Sequence, residues 1–343
     1  MEKYIKLFEG GSFTKTFLIK KNNFIIRKEI SLKNKNNPSV IKDQYLWLKF
    51  MHNKNLLVPK VIEFKKEKDK HFYEMEYINT SKNVAKNLRN IIKKKLFLKL
   101  LNKIDNHHKA HLSIKRKNKK LFSDLVNKKV LNSISTLQKK KLGRNILKKK
   151  YIKINNEECL NIADQLKFLI KKKSNFAKIL SNNFDSKFKT LIHGDLTFEN
   201  ILMKKNKFYF IDPLGGNVDV NSKKNIFYKT TSLFDIGKIN QSLMGKYESW
   251  KNISSVKNFT VDGEFKIRKI SKNDKKNFEM MEKKFNYLTN NFFEISMMHM
   301  VIHLCRLIRY RVKHNYPSAI YAYVLATYVT HTLIKDFNYS QTQ

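Results

Sequence analysis

The sequence predicts an α+β fold: a small strand-rich part over residues 1–79 and a larger, mainly helical part over residues 80–343. Three observations predict it. Short apolar runs of strand-like length crowd the first eighty residues, broken by a single stretch with helical spacing. From Ser81 onward the apolar residues recur mostly every three or four positions. Within that helical region one stretch, Leu191 to Asn217, returns to strand, turn and strand.

Taken in order, "FTKTFLIK" and "NNFIIRKEI" meet at the polar cluster "KKNN" and read as a hairpin. In "VIKDQYLWLKFMHNK", Ile41, Tyr45 and Leu48 keep helical spacing, with Leu46 and Phe50 alongside. "LLVPKVIEF" and "HFYEMEYI" are two further strands around the charged turn "KKEKDK". "VAKNLRNIIKKKLFLKLLNKIDNHHKAHL" is a long amphipathic run. Lys115 to Lys150 is the most basic stretch and reads as surface helices or a mobile insertion. "NEECLNIADQLKFLIKKK" is another helix, "NVDVNSKKNIFYKTTS" a loop, and helices follow to the C-terminus. Lys266 to Lys284 is polar, a connection or an exposed helix start, and no internal repeat is present.

Composition bounds the function. Hydrophobic residues make up 41% of 343, with 25 Phe, enough for a packed core. Lys and Arg number 71 against 28 Asp and Glu, a net charge of +43. Such a field attracts polyanions, nucleic acid or an anionic membrane surface. The bases are scattered along the whole chain, and Lys, Asn, Ile and Phe abound where Gly and Pro are scarce. That is the signature of an AT-rich coding sequence, and compositional bias is the reading adopted for the charge. Two cysteines, Cys159 and Cys305, imply no disulfide framework and suit a reducing cytoplasm. "MEKYIKLFEGGSF" has no apolar core of a secretory signal. The uncharged run Ser318 to Ile334 falls short of the ~20 residues a spanning helix needs, and reads as a buried helix.

The chemistry lies in "LIHGDLTFENILMKKNKFYFIDPLGGN". Phosphoryl transfer needs a base for the attacking hydroxyl, oxygen ligands for Mg²⁺, and donors that neutralise phosphates. Asp195 and Asn200 stand five positions apart, as D-x-x-x-x-N, and Asp212 ends the next apolar strand. A D-x-x-x-x-N alone occurs by chance; its place between "TLI" and the strand pair "NILM" and "FYFID" gives it weight. Upstream, Gly10, Gly11, Ser12 and Thr14 could cover phosphates with close backbone and hydroxyl donors. Arg27 and Lys28 end the second strand, and Arg27 is expected to be the base that points inward.

These residues resemble the aminoglycoside phosphotransferase and choline kinase superfamily. "HGDLTFENIL…FYFIDP" is similar to its H-G-D-x-x-x-x-N-[IVL] and I-D motifs, "GGSFTKTFLI" to its nucleotide loop, and "FIIRK" to its strand with the phosphate-binding base. "DQYLWLKFMHNKNLLVPKVIEF" follows its helix-then-"VPKV" pattern, and "HFYEMEYI" its strand into the adenine hinge. The similarity spans Gly10 to about Lys246. It implies a bilobal protein-kinase-like fold, Asp195 as catalytic base, His193 supporting the loop, and Asn200 and Asp212 on Mg²⁺. It implies ATP as the phosphate donor, with Glu76 to Ile78 meeting adenine through the backbone. "IDPLGGN" and "LFDIGKINQSLMGKYE" are similar to bacterial phosphotransferases found with surface-polysaccharide biosynthesis, a resemblance that implies Asp235 anchors the catalytic loop and is a candidate acceptor contact.

Two positions depart from the pattern. Gln44 stands where the helix usually carries a Glu paired with the strand base, and is expected to bond Arg27 instead. Leu214 replaces an Arg after "IDP". In "MMHMVIHLCRLIRYR", His299, His303 and Arg306 share a helix face and are expected to read an acceptor. His107 and His111 lack the further ligands a zinc site needs. The expected function is a Mg²⁺- and ATP-dependent kinase in the cytoplasm, acting on a hydroxyl of a small molecule, a sugar or related surface-polysaccharide precursor. The alternative is a basic protein binding RNA or anionic membrane on the same scaffold. No nucleic-acid motif is present, so at most a weak association with an anionic membrane surface is expected.

Overall fold

The structure is a computed structural model describing residues 2–8, 14–32, 38–54, 56–79, 83–93, 95–171 and 174–339. The expected phosphate cover at Gly10, Gly11 and Ser12 lies outside the described residues. By internal contacts the chain forms two units: residues 1–107, 193–218 and 222–229, and residues 108–192, 219–221 and 230–343. The first unit thus runs past residue 79 and takes in the segment of Asp195 and Asp212.

The first unit is built on a five-stranded antiparallel sheet, β1 (Lys3–Phe8), β2 (Thr14–Lys20), β3 (Phe24–Ser31), β4 (Val61–Lys66) and β5 (Lys70–Glu76), in the order β1-β2-β3-β5-β4. The sequence reading has four of these; β1 is added as an edge strand, its residues largely exposed. Helix α1 (Ser39–Asn53) buries Ile41, Gln44, Trp47, Leu48 and Met51. The ladder of Asp195's hairpin pairs Ile201–Lys204 with Lys207–Phe210. Its two turn residues, Lys205 and Asn206, both have positive φ, +46° and +62°, the type I′ turn whose twist suits a two-residue hairpin. Phe210 N–H donates to Leu57 carbonyl at 3.2 Å, and helix α2 (Val84–Lys93) begins beside a bridge from Asn83 to Leu202. The hairpin is therefore packed into this unit rather than hung from it.

The second unit is mainly helical. Helices Phe292–His314 and Tyr316–Tyr339 pack together, and helix Leu233–Leu243 lies along the former. Gly237 permits that approach: a Cβ there would stand 2.7 Å from His299 Cβ. The uncharged run from Ser318 supplies core, with Ala319, Ile320, Ala322, Tyr323, Val324 and Ala326 fully buried. Among the described residues no helix is long and apolar enough to cross a membrane. The basic stretch Lys115 to Lys150 is folded helix, anchored by buried Leu121, Phe122, Leu125, Val126, Val130, Ile134, Leu137 and Ile146. Most of its lysines are exposed, Lys117 and Lys129 being half-buried, while its apolar side chains join the core.

Candidate active site

The loop around Asp195 is held from both sides. His193 is fully buried; its Nε2 donates to Ile211 carbonyl at 2.8 Å and its Nδ1 accepts from Asp195 N–H at 3.3 Å. One ring nitrogen donates and the other accepts, which selects the neutral Nε2–H tautomer. Trp47 of α1 meets the ring edge-on at 5.5 Å. The carbonyl of His193 takes Leu214 N–H at 2.7 Å and Gly215 N–H at 2.8 Å. Gly194 has φ +82°, and a Cβ there would lie 2.5 Å from Gly215 carbonyl oxygen. The glycine of "HGD" and the first glycine of "LGG" are thus one close contact. Gly215 and Gly216 in turn press on the backbone at Ile226 and Tyr228.

Asn200 is bound to Asp195 twice. Its Nδ2 donates to Asp195 carbonyl at 2.8 Å and to Asp195 Oδ2 at 3.1 Å. A 3₁₀ turn, Phe198–Asn200, closes the five-residue spacing, with Asn200 N–H on Thr197 carbonyl at 3.0 Å. With Nδ2 engaged on Asp195, the amide oxygen, an acceptor, remains as a candidate metal ligand. Ile211 N–H bonds Asn200 carbonyl at 3.0 Å, which sets Asp212 next to it in a left-handed conformation, φ +60°. A carboxylate and a carboxamide oxygen are the hard ligands Mg²⁺ prefers, with waters and phosphate oxygens completing the shell. The donor set therefore fits Mg²⁺. Among the described residues no group of three or more His, Cys, Asp or Glu could hold another kind of metal.

The base that reaches this site is Lys28, which corrects the expectation for Arg27. Lys28 Nζ stands 2.6 Å from Asp212 Oδ1, its side chain 4% exposed. Successive strand residues point to opposite faces, so Arg27 and Lys28 cannot both turn inward. Ile26, Lys28 and Ile30 share one face with their cross-strand neighbours Tyr73 and Met75. Arg27 lies on the other, over the Phe72 ring at 4.3 Å, with Nε on Glu74 Oε1 at 2.9 Å and Nη1 on Tyr4 hydroxyl at 2.8 Å. Burial works against its charge, but the bonds from Glu74 and Glu2 hold its pKa above the ordinary value. Gln44 consequently has no guanidinium to bond; it is buried, and its Oε1 has no hydrogen-bond partner among the described residues.

Thr14 opens β2, opposite Ile30. Glu76 closes β5; its N–H is taken by Lys60 carbonyl at 2.9 Å and its carboxylate by Lys60 N–H at 3.0 Å, while Ile78 is buried. Three of the expected acceptor contacts move elsewhere. His299 and His303 are buried, donating to Phe184 and Phe234 carbonyls at 2.8 Å and 2.9 Å. Burial lowers the pKa of both, that of His299 to about 3, so they are neutral packing groups. Asp235 is fully buried with Oδ2 3.0 Å from His108 Nε2, and so is closed to an acceptor. Arg306 is half-buried; burial and then its charge lower the pKa of Lys129 to about 8.

Residues missed from the sequence are those that hold the site from behind: Trp47, Tyr73 and Lys28 itself. Tyr73 is fully buried, its hydroxyl without a partner among the described residues, and burial followed by the charge of Asp212 raises its pKa. A lone lysine between two isoleucines on a core-facing strand side was the available signal for Lys28.

No family model matches the sequence, and no curated protein matches it. Solved structures do. A protein assigned as a fructosamine-3-kinase from Haemophilus somnus superposes with TM-score 0.56 at 14% identity, over 96% of this chain and 91% of that one. A second so assigned, from Thermobifida fusca, gives 0.55 at 10% identity, over 96% and 94%. The choline kinase LicA from Streptococcus pneumoniae gives 0.53 at 12% identity, over 96% and 94%. A structure of LicA in complex with AMP gives 0.51 at 12% identity. The chain therefore has the kinase-like fold of these structures.

Proposed function

We propose that this protein is an ATP- and Mg²⁺-dependent phosphotransferase acting on a hydroxyl of a small molecule. The observation that carries the reading is a run of contacts: Asn200 on Asp195, Ile211 N–H on Asn200 just before Asp212, and Lys28 on Asp212. The AMP complex of LicA supports a nucleotide on this fold.

Asp195 accepts the proton of the acceptor hydroxyl as its oxygen attacks the γ-phosphorus. Asn200 orients that carboxylate through Oδ2. The new O–P bond forms as the bond from the γ-phosphorus to the β-bridging oxygen breaks, and ADP departs with the electron pair. Lys28 offsets phosphate charge from β3, and Thr14 stands at the start of β2 to face the nucleotide. Asn200 and Asp212 would hold Mg²⁺, which when bound neutralises phosphate oxygens.

The acceptor we favour is a sugar or related precursor of surface polysaccharide, a finer reading that rests on the "IDPLGG" and "LFDIGK" resemblances. A polycationic aminoglycoside suits poorly a chain of net charge +43. The cytoplasm is the setting proposed, consistent with two buried free cysteines. The alternative, RNA or anionic-membrane binding, has the net charge as its support. A panel of sugars, amino alcohols and nucleosides with labelled ATP tests the proposal: label should move to one class of acceptor and not in Asp195→Asn. Salt-sensitive RNA binding at physiological ionic strength without any transfer would favour the alternative.

A further inference from the structure

The second unit carries a cleft that the proposed reaction does not use. It measures about 480 Å³ and lies beside the strand Tyr151–Ile154. Ile146, Ile152 and Phe265, all buried, form its apolar part, while Tyr151 stands at it 50% exposed. Gly263 also lines it, at φ +75°, and a Cβ there would meet nothing within 4 Å.

One edge of that strand is used and the other is open. It pairs antiparallel with Glu157–Leu160 through a two-residue turn, Asn155 and Asn156, at φ +49° and +71°. Asn161 N–H donates to Lys150 carbonyl at 2.9 Å, in register with the ladder. Bonded pairs alternate along an antiparallel ladder, so Ile152 and Ile154 bond the hairpin partner and the backbone groups of Tyr151 and Lys153 point the other way. On that side the strand Glu264–Phe265 pairs only at Ile154, with Asn155 N–H on Phe265 carbonyl at 3.0 Å. Among the described residues no strand pairs with Tyr151 on this edge. Its N–H and carbonyl, and the N–H of Lys153, are thus turned to the side of the cleft. An unpaired strand edge is a template for another strand.

The charge around the cleft is one-sided. Lys149 and Lys153 line it, and Arg144, Lys148 and Lys150 flank them, all exposed. Glu158 is the single acid among the lining residues. Lys153 Nζ stands 3.7 Å from Glu264 Oε2, but Lys266 already holds that carboxylate at 2.7 Å. A second copy of a chain of net charge +43 would be repelled, whereas an acidic strand would be drawn in. Side chains of such a strand alternate, one set toward Ile152 and the apolar part, the next toward Tyr151 and Lys153.

We propose that the open edge of Tyr151–Ile154 binds an extended acidic segment of a partner protein, in which carboxylates alternate with apolar side chains, as an added strand of this sheet. The inference is independent of the phosphotransferase reading.

The probe is the fluorescein-labelled peptide Glu-Val-Glu-Val-Glu-Val, titrated with the full chain at physiological salt and read by fluorescence anisotropy. The same peptide with every backbone nitrogen methylated keeps its charge and loses its donors, and should bind at least about tenfold more weakly. Tyr151→Pro removes an N–H from the open edge and none from the hairpin ladder, and should weaken binding of the unmethylated peptide by a similar factor. Lys153→Glu should weaken it too. Urea unfolding of each variant confirms a folded sample, and the methylated peptide tests the wild-type protein directly. Equal affinity for the two peptides would show attraction by charge alone and overturn the proposal. So would no binding by wild type, unchanged binding by Tyr151→Pro, or a dimer of the wild-type chain in sedimentation that Tyr151→Pro dissolves.

Discussion

At the residue scale the site depends on which side chain of a neighbouring pair faces it. Arg27 and Lys28 are adjacent bases, and the period of a strand sends one to each face. Lys28 meets Asp212, whereas Arg27 is locked to Glu74, itself 1% exposed. Two predictions separate the roles. Glu74→Ala strands a buried guanidinium and should destabilise the fold by about 3 kcal/mol, read as a lower urea midpoint, with any residual transfer unaltered in folded protein. Asp195→Asn should leave stability and ATP affinity near wild type and lower kcat by about 10³-fold, read by label transfer. Asp195, Asn200 and Asp212 were legible because their five-residue spacing and strand-end position are sequence features. Lys28 was not read correctly, because a strand's inward face depends on what packs against it, and α1 supplies that from elsewhere in the chain.

At the element scale the loop and the hairpin work as one clamp. The neutral His193 bonds Asp195 N–H on one side and Ile211 carbonyl on the other, so the two carboxylates are positioned by the same ring. Gly194 and Gly215 close the clamp with no room for a side chain. Gly194→Ala combines left-handed strain with a clash on backbone, and should cost at least about 3 kcal/mol; a urea midpoint equal to wild type would contradict the clamp. The strands, α1 and the hairpin were visible from their periods and turn residues. The role of the glycines of "LGGN" was not: in the fold they are contact points for the backbone at Gly194, Ile226 and Tyr228. The histidines near 300 misled for a related reason: helical spacing shows that His299 and His303 share a face, not which face is buried.

For the molecule as a whole, charge and buried histidine govern how stability responds to solution. The net charge of +43 repels itself, so added salt should raise the thermal midpoint. His299 is neutral in the fold, with a pKa near 3, against about 6.5 when unfolded. Below about 6.5 the unfolded chain binds a proton that the folded chain refuses, so this contribution falls with pH through that window and levels off near 3. His303 acts in the same direction. His299→Gln should make the slope of stability against pH between 6 and 4 shallower than wild type, by about one proton at most. An unchanged slope, measured by urea unfolding, would contradict it.

The central claim is that Asp195 is the base of a phosphoryl transfer from ATP to a small hydroxylated molecule. The most direct measurement is transfer of label from γ-labelled ATP to a mixed panel of sugars, amino alcohols and nucleosides, with Mg²⁺, by wild type and by Asp195→Asn. The account predicts label in an acceptor with wild type alone, and none when Mg²⁺ is chelated. Equal labelling by Asp195→Asn, or none by wild type with any acceptor while ATP is bound, would contradict it.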